Sequence, residues 1–282
     1  MWSLLNKEEN KIGLLQAGIT QKYLCTIDSD IQIGTMNVVT TTECRWVVTV
    51  KQITEHAYRL EILTLDNRII AANNPSVHDV AALNNLFKEI YNELDVTVDR
   101  KGNVVSVNNS LQVKDKWLRV RGQLKTLTAN EESIASVVRL NDDIFDHDAN
   151  LLHTIRAMEF FEIFFNGVYN EGIPYINRVN RKSKFQAVDI DWSIRYNFEN
   201  NDQNTVVFEG ENEKRLSPEW LRNAYGHFTF LEPATLVPLI SSKGRYKING
   251  DTGLVAEATY QTQEIVHVQL LYNKIKYTLT QY

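Results

Sequence analysis

Apolar and polar residues alternate along much of residues 22–72, which is the pattern of strands with one buried face. The clearest runs are Trp46/Val48/Val50 and Tyr58/Leu60/Ile62. The alternation predicts strands around Tyr23–Ile33, Arg45–Thr54 and Tyr58–Leu65.

The spacing changes in residues 75–94. Asn74, Pro75 and Ser76 form a typical helix start. The apolar residues that follow are three or four positions apart, at Val80, Leu83, Phe87, Ile90 and Leu94. This spacing places them on one face and predicts a helix that packs against a core.

A hairpin and three further helices are predicted next. Valines on both sides of the Asp99–Gly102 turn indicate the hairpin, at residues 95–107. Helices are expected at about residues 110–125, 131–146 and 149–169. The last one is apolar over most of its circumference, so it lies in the core or meets a partner.

The remainder of the chain returns to a two-residue period. Val188–Phe198 is the most regular example. The final strands are expected within Lys247–Ala258 and Glu264–Gln281, the latter turning near Asn273. The intervening basic residues Arg178, Arg181, Lys182 and Lys184 are expected in a solvated loop.

This order of elements predicts an α+β fold, with antiparallel sheet from the N- and C-terminal blocks and a central helical block packed against it. Nothing in the sequence resembles a linker. We therefore expect one domain over residues 1–282, made of a strand block (20–72), a helical block with a hairpin (75–170) and a second strand block (185–282).

The charge balance argues against several classes of partner. The chain has 282 residues and a net charge of −5, without the basic excess of nucleic-acid-binding proteins. No apolar run reaches the length of a membrane span. The opening residues lack the features of a signal peptide, so a cytoplasmic location is expected.

The charges are nevertheless distributed in two opposite blocks. Residues 99–125 carry seven basic and two acidic side chains, and residues 131–148 carry six acidic and one basic. Two interpretations remain open: solvated helix faces that neutralise each other, or a surface that docks another protein. The candidate partner-binding residues are Lys114, Lys116, Arg119, Arg121, Asp142, Asp143, Asp146 and Asp148.

A search for catalytic and metal-binding patterns gives no strong candidate. The glycines form no phosphate-binding loop, and the common zinc and serine-hydrolase motifs are absent. Asp146, Asp148 and Asn150 imitate the start of a calcium loop, but Leu151 stands where that loop needs glycine. Helix capping explains them better. We expect no enzyme activity, cofactor or metal.

Cys25 and Cys44 are the only two cysteines. Their positions on neighbouring predicted strands allow a disulfide, but two buried free thiols are favoured.

The segment Tyr246–Leu254, with the sequence YKINGDTGL, resembles the strand–turn–strand ending of many uncharacterised β-rich bacterial proteins. Several of these are of Bacteroidota type, with antiparallel sheets like those of lipoprotein carriers. The resemblance covers one hairpin and the general order of elements. It implies an antiparallel sheet and transfers no functional residue. Those carriers have a signal sequence, which this chain does not show.

Three functional hypotheses follow. The first is a non-enzymatic binding or scaffolding protein, such as an accessory component of a bacterial secretion machine or an antitoxin-like inhibitor. The second is a carrier of an apolar ligand or lipid, lined by residues such as Phe160, Phe161, Phe164 and Trp192. The third is an enzyme whose catalytic residues are distant in sequence, for which Asp189 and Asp191 are weak candidates.

Overall fold

The structure is a computed structural model that describes residues 11–75, 86–124, 131–200 and 202–282, with residues 131–134 described by backbone alone. Within these residues, eleven strands form one antiparallel sheet. The strands are β1 (Thr20–Ile33), β2 (Met36–Ile53), β3 (Ala57–Ala72), β4 (Glu93–Asp99), β5 (Val104–Val107), β6 (Tyr175–Lys182), β7 (Asp189–Glu199), β8 (Asp202–Asn212), β9 (Leu239–Ile248), β10 (Val255–His267) and β11 (Leu271–Gln281).

The strand order is β5-β4-β3-β2-β1-β11-β10-β9-β8-β7-β6. Each half of the sheet is therefore a meander in which strands next to each other in sequence also pair. The two halves meet at the centre, where β1 pairs with β11 from Tyr23–Gln281 to Ile33–Leu271. This order leaves β5 and β6 as the two edges of the sheet.

The helices occupy two places in the chain. The first group comprises residues 86–91 (α1), α2 (Ser110–Leu124), α3 (Glu131–Asp146), α4 (Asp148–Arg156) and α5 (Glu159–Phe165). The second comprises α6 (Pro218–Tyr225) and a short 3₁₀ turn at Pro233–Thr235. No helix among the described residues is long and apolar enough to cross a membrane.

The short helix α5 packs against one face of the sheet, which we call the covered face. Its aromatic side chains join the main core, with Phe164 edge-on to Tyr23 of β1 at 5.5 Å between ring centroids. Tyrosine hydroxyls of four other strands donate hydrogen bonds to α5 or to the residue that follows it. They run from Tyr196 to the Asn166 carbonyl (2.8 Å), Tyr246 to the Ile163 carbonyl (2.7 Å), Tyr260 to Glu162 (2.9 Å) and Tyr277 to Glu159 (3.0 Å).

Both edges of the sheet also reach this helix. On the β5 side, Gly102 adopts a φ of +93°, and a Cβ at that position would overlap the ring of Phe165. On the β6 side, Arg181 lies 3.4 Å from the carboxylate of Glu162. Because both edges contact one seven-residue helix, the sheet curls around α5.

The predicted fold class, an α+β fold with a central helical block packed against sheets, is wrong. One eleven-stranded antiparallel sheet dominates the described residues, and the helices are few. The supposed helical block also contributes β4 and β5 to this sheet, through seven residue pairs between β3 and β4. The sheet therefore runs without interruption from the N-terminal strands into that block.

Three local predictions also fail. The predicted helix at 149–169 is broken, because Met158 has an extended backbone (φ −68°, ψ 135°) between α4 and α5. The expected basic loop contains the edge strand β6. The turn expected near Asn273 lies instead between β10 and β11, and Asn273 is inside β11. Val80, Leu83 and Lys125 lie outside the described residues.

Candidate functional site

An apolar cavity of about 340 Å³ lies between the covered face of β2–β4 and two helices, α1 and α5. We call it the apolar cavity. Its lining consists mainly of aromatic and aliphatic side chains. The lining residues are Cys44, Trp46, Ile62, Thr64, Asn67, Phe87, Lys88, Tyr91, Leu94, Met158, Glu159, Phe160 and Phe161.

Strand alternation places the floor of this cavity. Cys44 and Trp46 are two positions apart on β2, so both side chains point to the covered face. Thr64 pairs directly with Trp46 in the neighbouring strand. The ring of Phe160 meets Trp46 edge-on, with centroids 5.2 Å apart. This contact fixes the start of α5 against the floor.

Two charged side chains lie at the cavity. The Lys88 ammonium donates a hydrogen bond to the backbone carbonyl of Asn67 at 2.6 Å, and its partial burial lowers its pKa. Glu159 accepts a hydrogen bond from the Tyr277 hydroxyl at 3.0 Å. Both groups therefore have partners within the protein.

The thiol of Cys44 belongs to the apolar wall. Burial raises its pKa to about 12, and the nearby Glu159 carboxylate acts in the same direction. It is therefore a neutral thiol near pH 7, whereas a cysteine nucleophile needs a thiolate. Cys25 and Cys44 are both buried and free, which confirms the preferred prediction for this pair.

The residues predicted to line a ligand pocket are only partly brought together. Phe160 and Phe161 line the apolar cavity. Phe164 is instead buried against Tyr23. Trp192 lies on β7, with the Arg181 guanidinium 5.6 Å from the centre of its ring.

The sequence did not single out Trp46, Ile62 or Leu94 as cavity residues. Trp46 and Ile62 alternate as ordinary core positions do, and the helical spacing assigns Leu94 to a helix face, whereas it lies in β4. Both patterns predict burial but not an adjoining cavity. The concentration of aromatics in Phe160–Phe165 is the one sequence signal for these residues, because such rings need apolar strand residues to pack against.

The eight predicted partner-binding residues lie on α2–α4 and include several that pair with each other. Lys114 contacts Asp148 at 2.8 Å, and Arg121 contacts Asp142 at 3.1 Å. Asp142 also accepts a hydrogen bond from the indole of Trp117 at 3.0 Å. These contacts join α2 to α3 and α4.

The other four residues of this set differ in their surroundings. Lys116 donates to the side chain of Asn92 at 2.7 Å, and Asp143 accepts from Asn150 at 3.2 Å. Arg119 and Asp146 are exposed. A role of this surface in binding another protein stays a prediction.

No protein-family model matches this sequence, and no curated protein matches it. Among solved structures, the chain is similar to lipovitellin, in a study of lipid–protein interactions, with 10% identity and a TM-score of 0.38. That alignment covers 95% of this chain but 25% of the lipovitellin chain.

A second similar structure is a domain described as a putative outer membrane lipoprotein-sorting protein from Vibrio parahaemolyticus. Its identity is 8% and its TM-score 0.18, and the alignment covers 98% of this chain and 87% of that one. Scores this low establish neither a shared fold nor a shared activity. The apolar cavity must therefore be interpreted from its own residues.

Proposed function

We propose that this protein binds and carries an apolar ligand, such as an acyl chain, without converting it chemically. The observation that carries the proposal is the apolar cavity between β2–β4 and the helices α1 and α5. Its volume of about 340 Å³ lies in the range of small-molecule sites. Among the hypotheses drawn from the sequence, a carrier of an apolar ligand is the alternative to a scaffolding protein.

The lining suits an apolar occupant. Aromatic and aliphatic side chains dominate it, and each methylene group that a ligand buries there gains about 0.8 kcal/mol. The two charged groups, Lys88 and Glu159, have hydrogen-bond partners in the protein. They therefore do not require a charged ligand in this cavity.

The chemistry of the wall supports binding rather than catalysis. Its one thiol, Cys44, has a pKa raised by burial to about 12. A group that stays protonated near neutral pH is a poor nucleophile. The proposal accordingly includes no reaction step.

Filling the cavity tests the proposal. Thr64 is half-buried in the cavity wall, so Thr64→Trp would occupy space that a ligand needs. We expect this variant to lose most of the binding of a fluorescent fatty-acid probe. The matched control is Thr26→Trp, because Thr26 is also half-buried in a strand but neighbours the buried Cys25 and so points to the opposite face.

The result is interpretable only if both variants fold, which their circular dichroism and thermal unfolding establish. Loss of probe binding in Thr64→Trp but not in Thr26→Trp supports the proposal. Equal binding by the wild type and both variants would place the probe elsewhere and overturn it. Absence of probe binding in the wild type would also overturn it.

A further inference from the structure

Exposed apolar side chains gather at one end of the sheet. Met36, Phe230, Val237, Leu239 and Val268 are all large and apolar, and each is between 41% and 86% exposed. Met36 follows the turn between β1 and β2, and Val268 lies in the turn between β10 and β11. Phe230 and Val237 lie between α6 and β9, and Leu239 begins β9. We call these five residues the apolar rim.

Backbone and ring contacts bring the three connections of the rim together. The backbone amide of Gly34 donates a hydrogen bond to the carbonyl of Leu270 at 2.7 Å, which ties the β1–β2 turn to the β10–β11 turn. The ring of Phe230 lies 3.3 Å from the position that a Cβ of Gly34 would take. Leu239 pairs with Ile265 near the end of β10. The five side chains therefore share one end of the sheet.

A small hydrophobic core lies behind the rim. The connection from α6 to β9 packs Leu231 and Leu236 against this core, whereas the adjacent Phe230 and Val237 are exposed. Leu271, at the end of the β10–β11 turn, is buried in the same core. The rim side chains thus add apolar surface to connections that the core already holds in place.

The same end of the sheet carries almost no charge. Residues 31–42 and 265–273 contain no Asp, Glu, Lys or Arg, and residues 227–239 contain only Glu232, although 23% of the whole chain is charged. Single exposed apolar side chains are normal on a protein surface, but a group of them marks a contact with a protein or a membrane. The lack of charge indicates a partner that is apolar and neutral where it meets the rim.

A lipid bilayer fits this surface better than a folded protein does. The rim side chains stand on three separate connections, which a fluid surface admits without a matching shape, whereas a protein interface needs closely complementary packing. Turn backbone does not enter the hydrocarbon, because its polar groups would lose their hydrogen bonds there. Side chains at the turns can nevertheless reach the acyl boundary while the backbone stays among the hydrated head groups.

We propose that the apolar rim docks this protein onto the surface of a neutral lipid bilayer, with the side chains of Phe230, Val237 and Val268 inserted between the lipid head groups. This proposal goes beyond the carrier function and does not depend on it, because no rim residue lines the apolar cavity. It assigns a partner, a bilayer surface, to an end of the sheet that the carrier function does not use.

Flotation with phosphatidylcholine vesicles tests the proposal. We expect the wild type to float with the vesicles at low and at high salt, because salt screens charges but does not weaken apolar insertion. Val237→Glu and Val268→Glu should each bind about ten-fold more weakly, since each removes one inserted side chain. Leu111→Glu is the matched control, because Leu111 is 77% exposed on α2, outside the rim. Circular dichroism establishes that all variants fold.

A fluorescent label reports the insertion itself. Val237→Cys, labelled with an environment-sensitive dye, should shift its emission to the blue when vesicles are added. Leu111→Cys with the same label should not shift. The label is confined to the new cysteine because the two native cysteines are buried. A shift at both positions or at neither would contradict docking through the rim.

The remaining outcomes also decide the proposal. Absence of flotation in the wild type overturns it, and so does equal flotation by the wild type and both rim variants. Binding that needs anionic lipid and disappears at high salt overturns it too, since charge attraction would then hold the protein. A wild-type dimer that Val237→Glu converts to a monomer, without vesicle binding, would assign the rim to a second copy of the chain. Binding of the fatty-acid probe by Val237→Glu measures the carrier function separately.

Discussion

Cys25 and Cys44 lie directly opposite each other in the antiparallel pair of β1 and β2. Both are buried, at 0% and 3% exposure, and both are free thiols. Directly opposed residues of antiparallel strands have Cα atoms about 4.5–5.5 Å apart, within the range that a disulfide requires. The spacing of the two residues therefore permits a disulfide, and their burial is what shields the thiols from oxidants.

The first prediction concerns the reactivity of these thiols. Burial raises the pKa of Cys44 to about 12 and that of Cys25 further, so neither forms the reactive thiolate near neutral pH. We expect both to resist alkylation in the folded protein and to react rapidly in denaturant, as measured by mass spectrometry. Rapid labelling of either one under native conditions would show that this part of the sheet opens.

The second prediction is a loss of stability at alkaline pH. Burial raises the pKa of Tyr91 and Tyr196 from 10.0 to about 12, and that of Tyr23, Tyr260 and Tyr277 further. The unfolded chain releases these protons first. Their contribution to stability is therefore complete below pH 10 and is lost as the pH rises through 12 and beyond.

Tyrosinate absorbance provides the measurement. The buried tyrosines should ionise only together with the loss of circular dichroism. A single smooth titration of all tyrosines, with the fold intact, would contradict the prediction.

The third prediction concerns the tyrosines that hold α5. Tyr246→Phe removes the hydroxyl that donates to the Ile163 carbonyl, so this carbonyl loses a hydrogen bond in a fully buried site. We expect a loss of about 1–3 kcal/mol in the free energy of unfolding, measured in urea. Tyr272→Phe is the matched control, because the hydroxyl of Tyr272 bonds to Asp30 in a partly exposed site. A similar effect of both variants would mean that the burial of the Tyr246 bond is irrelevant.

The fourth prediction tests the contact between the β5 edge and α5. Gly102→Ala introduces both a strained φ of +93° and an overlap with Phe165. Gly18→Ala is a control for the strain alone, since Gly18 has a φ of +80° and no atom within 4 Å of its added Cβ. We expect Gly102→Ala to be clearly more destabilising in thermal unfolding. Equal losses of thermal stability in the two variants would show that the β4–β5 turn shifts to accommodate the added methyl group.

The fifth prediction distinguishes roles within the charged surface of α2–α4. Asp142→Asn should lower stability, because Asp142 contacts Arg121 and accepts from Trp117. Asp146→Asn should have little effect, because Asp146 is exposed. Chemical denaturation checks both. If Asp146→Asn lowered the free energy of unfolding more than Asp142→Asn, the contacts of Asp142 would not be the main link between α2 and α3.

Local patterns predicted many of the elements. The alternation at Trp46, Val48 and Val50 falls within β2, and Gly102 has the positive φ expected in the turn of its hairpin. The spacing of Val113, Trp117, Val120 and Leu124 matches the buried face of α2. Each of these signals depends only on neighbours along the chain.

What the sequence could not predict depends on distant partners. Strand β6 was missed because its Arg178 and Lys182 are solvent-exposed, whereas Arg181 on the alternate face meets Glu162 of α5. For the apolar cavity the sequence indicated Phe160 and Phe161 but not the opposite wall, since β2, β4 and α5 meet only in the folded chain. The fold class failed because the central block is less helical than its spacing indicates: Met158 interrupts the expected long helix, and β4 and β5 continue the sheet into this block.

The central pairing of β1 with β11 has a consequence for how the chain folds. Tyr23 of β1 and Gln281 of β11 are 258 residues apart, whereas every other pair of neighbouring strands in the described sheet joins strands consecutive in sequence. The two meanders can therefore form early and locally, but each exposes an unpaired central edge until they meet. Because β1 finds its second neighbour only in the last strand, its edge stays open until β11 has formed, and we expect aggregation during folding to begin at this edge.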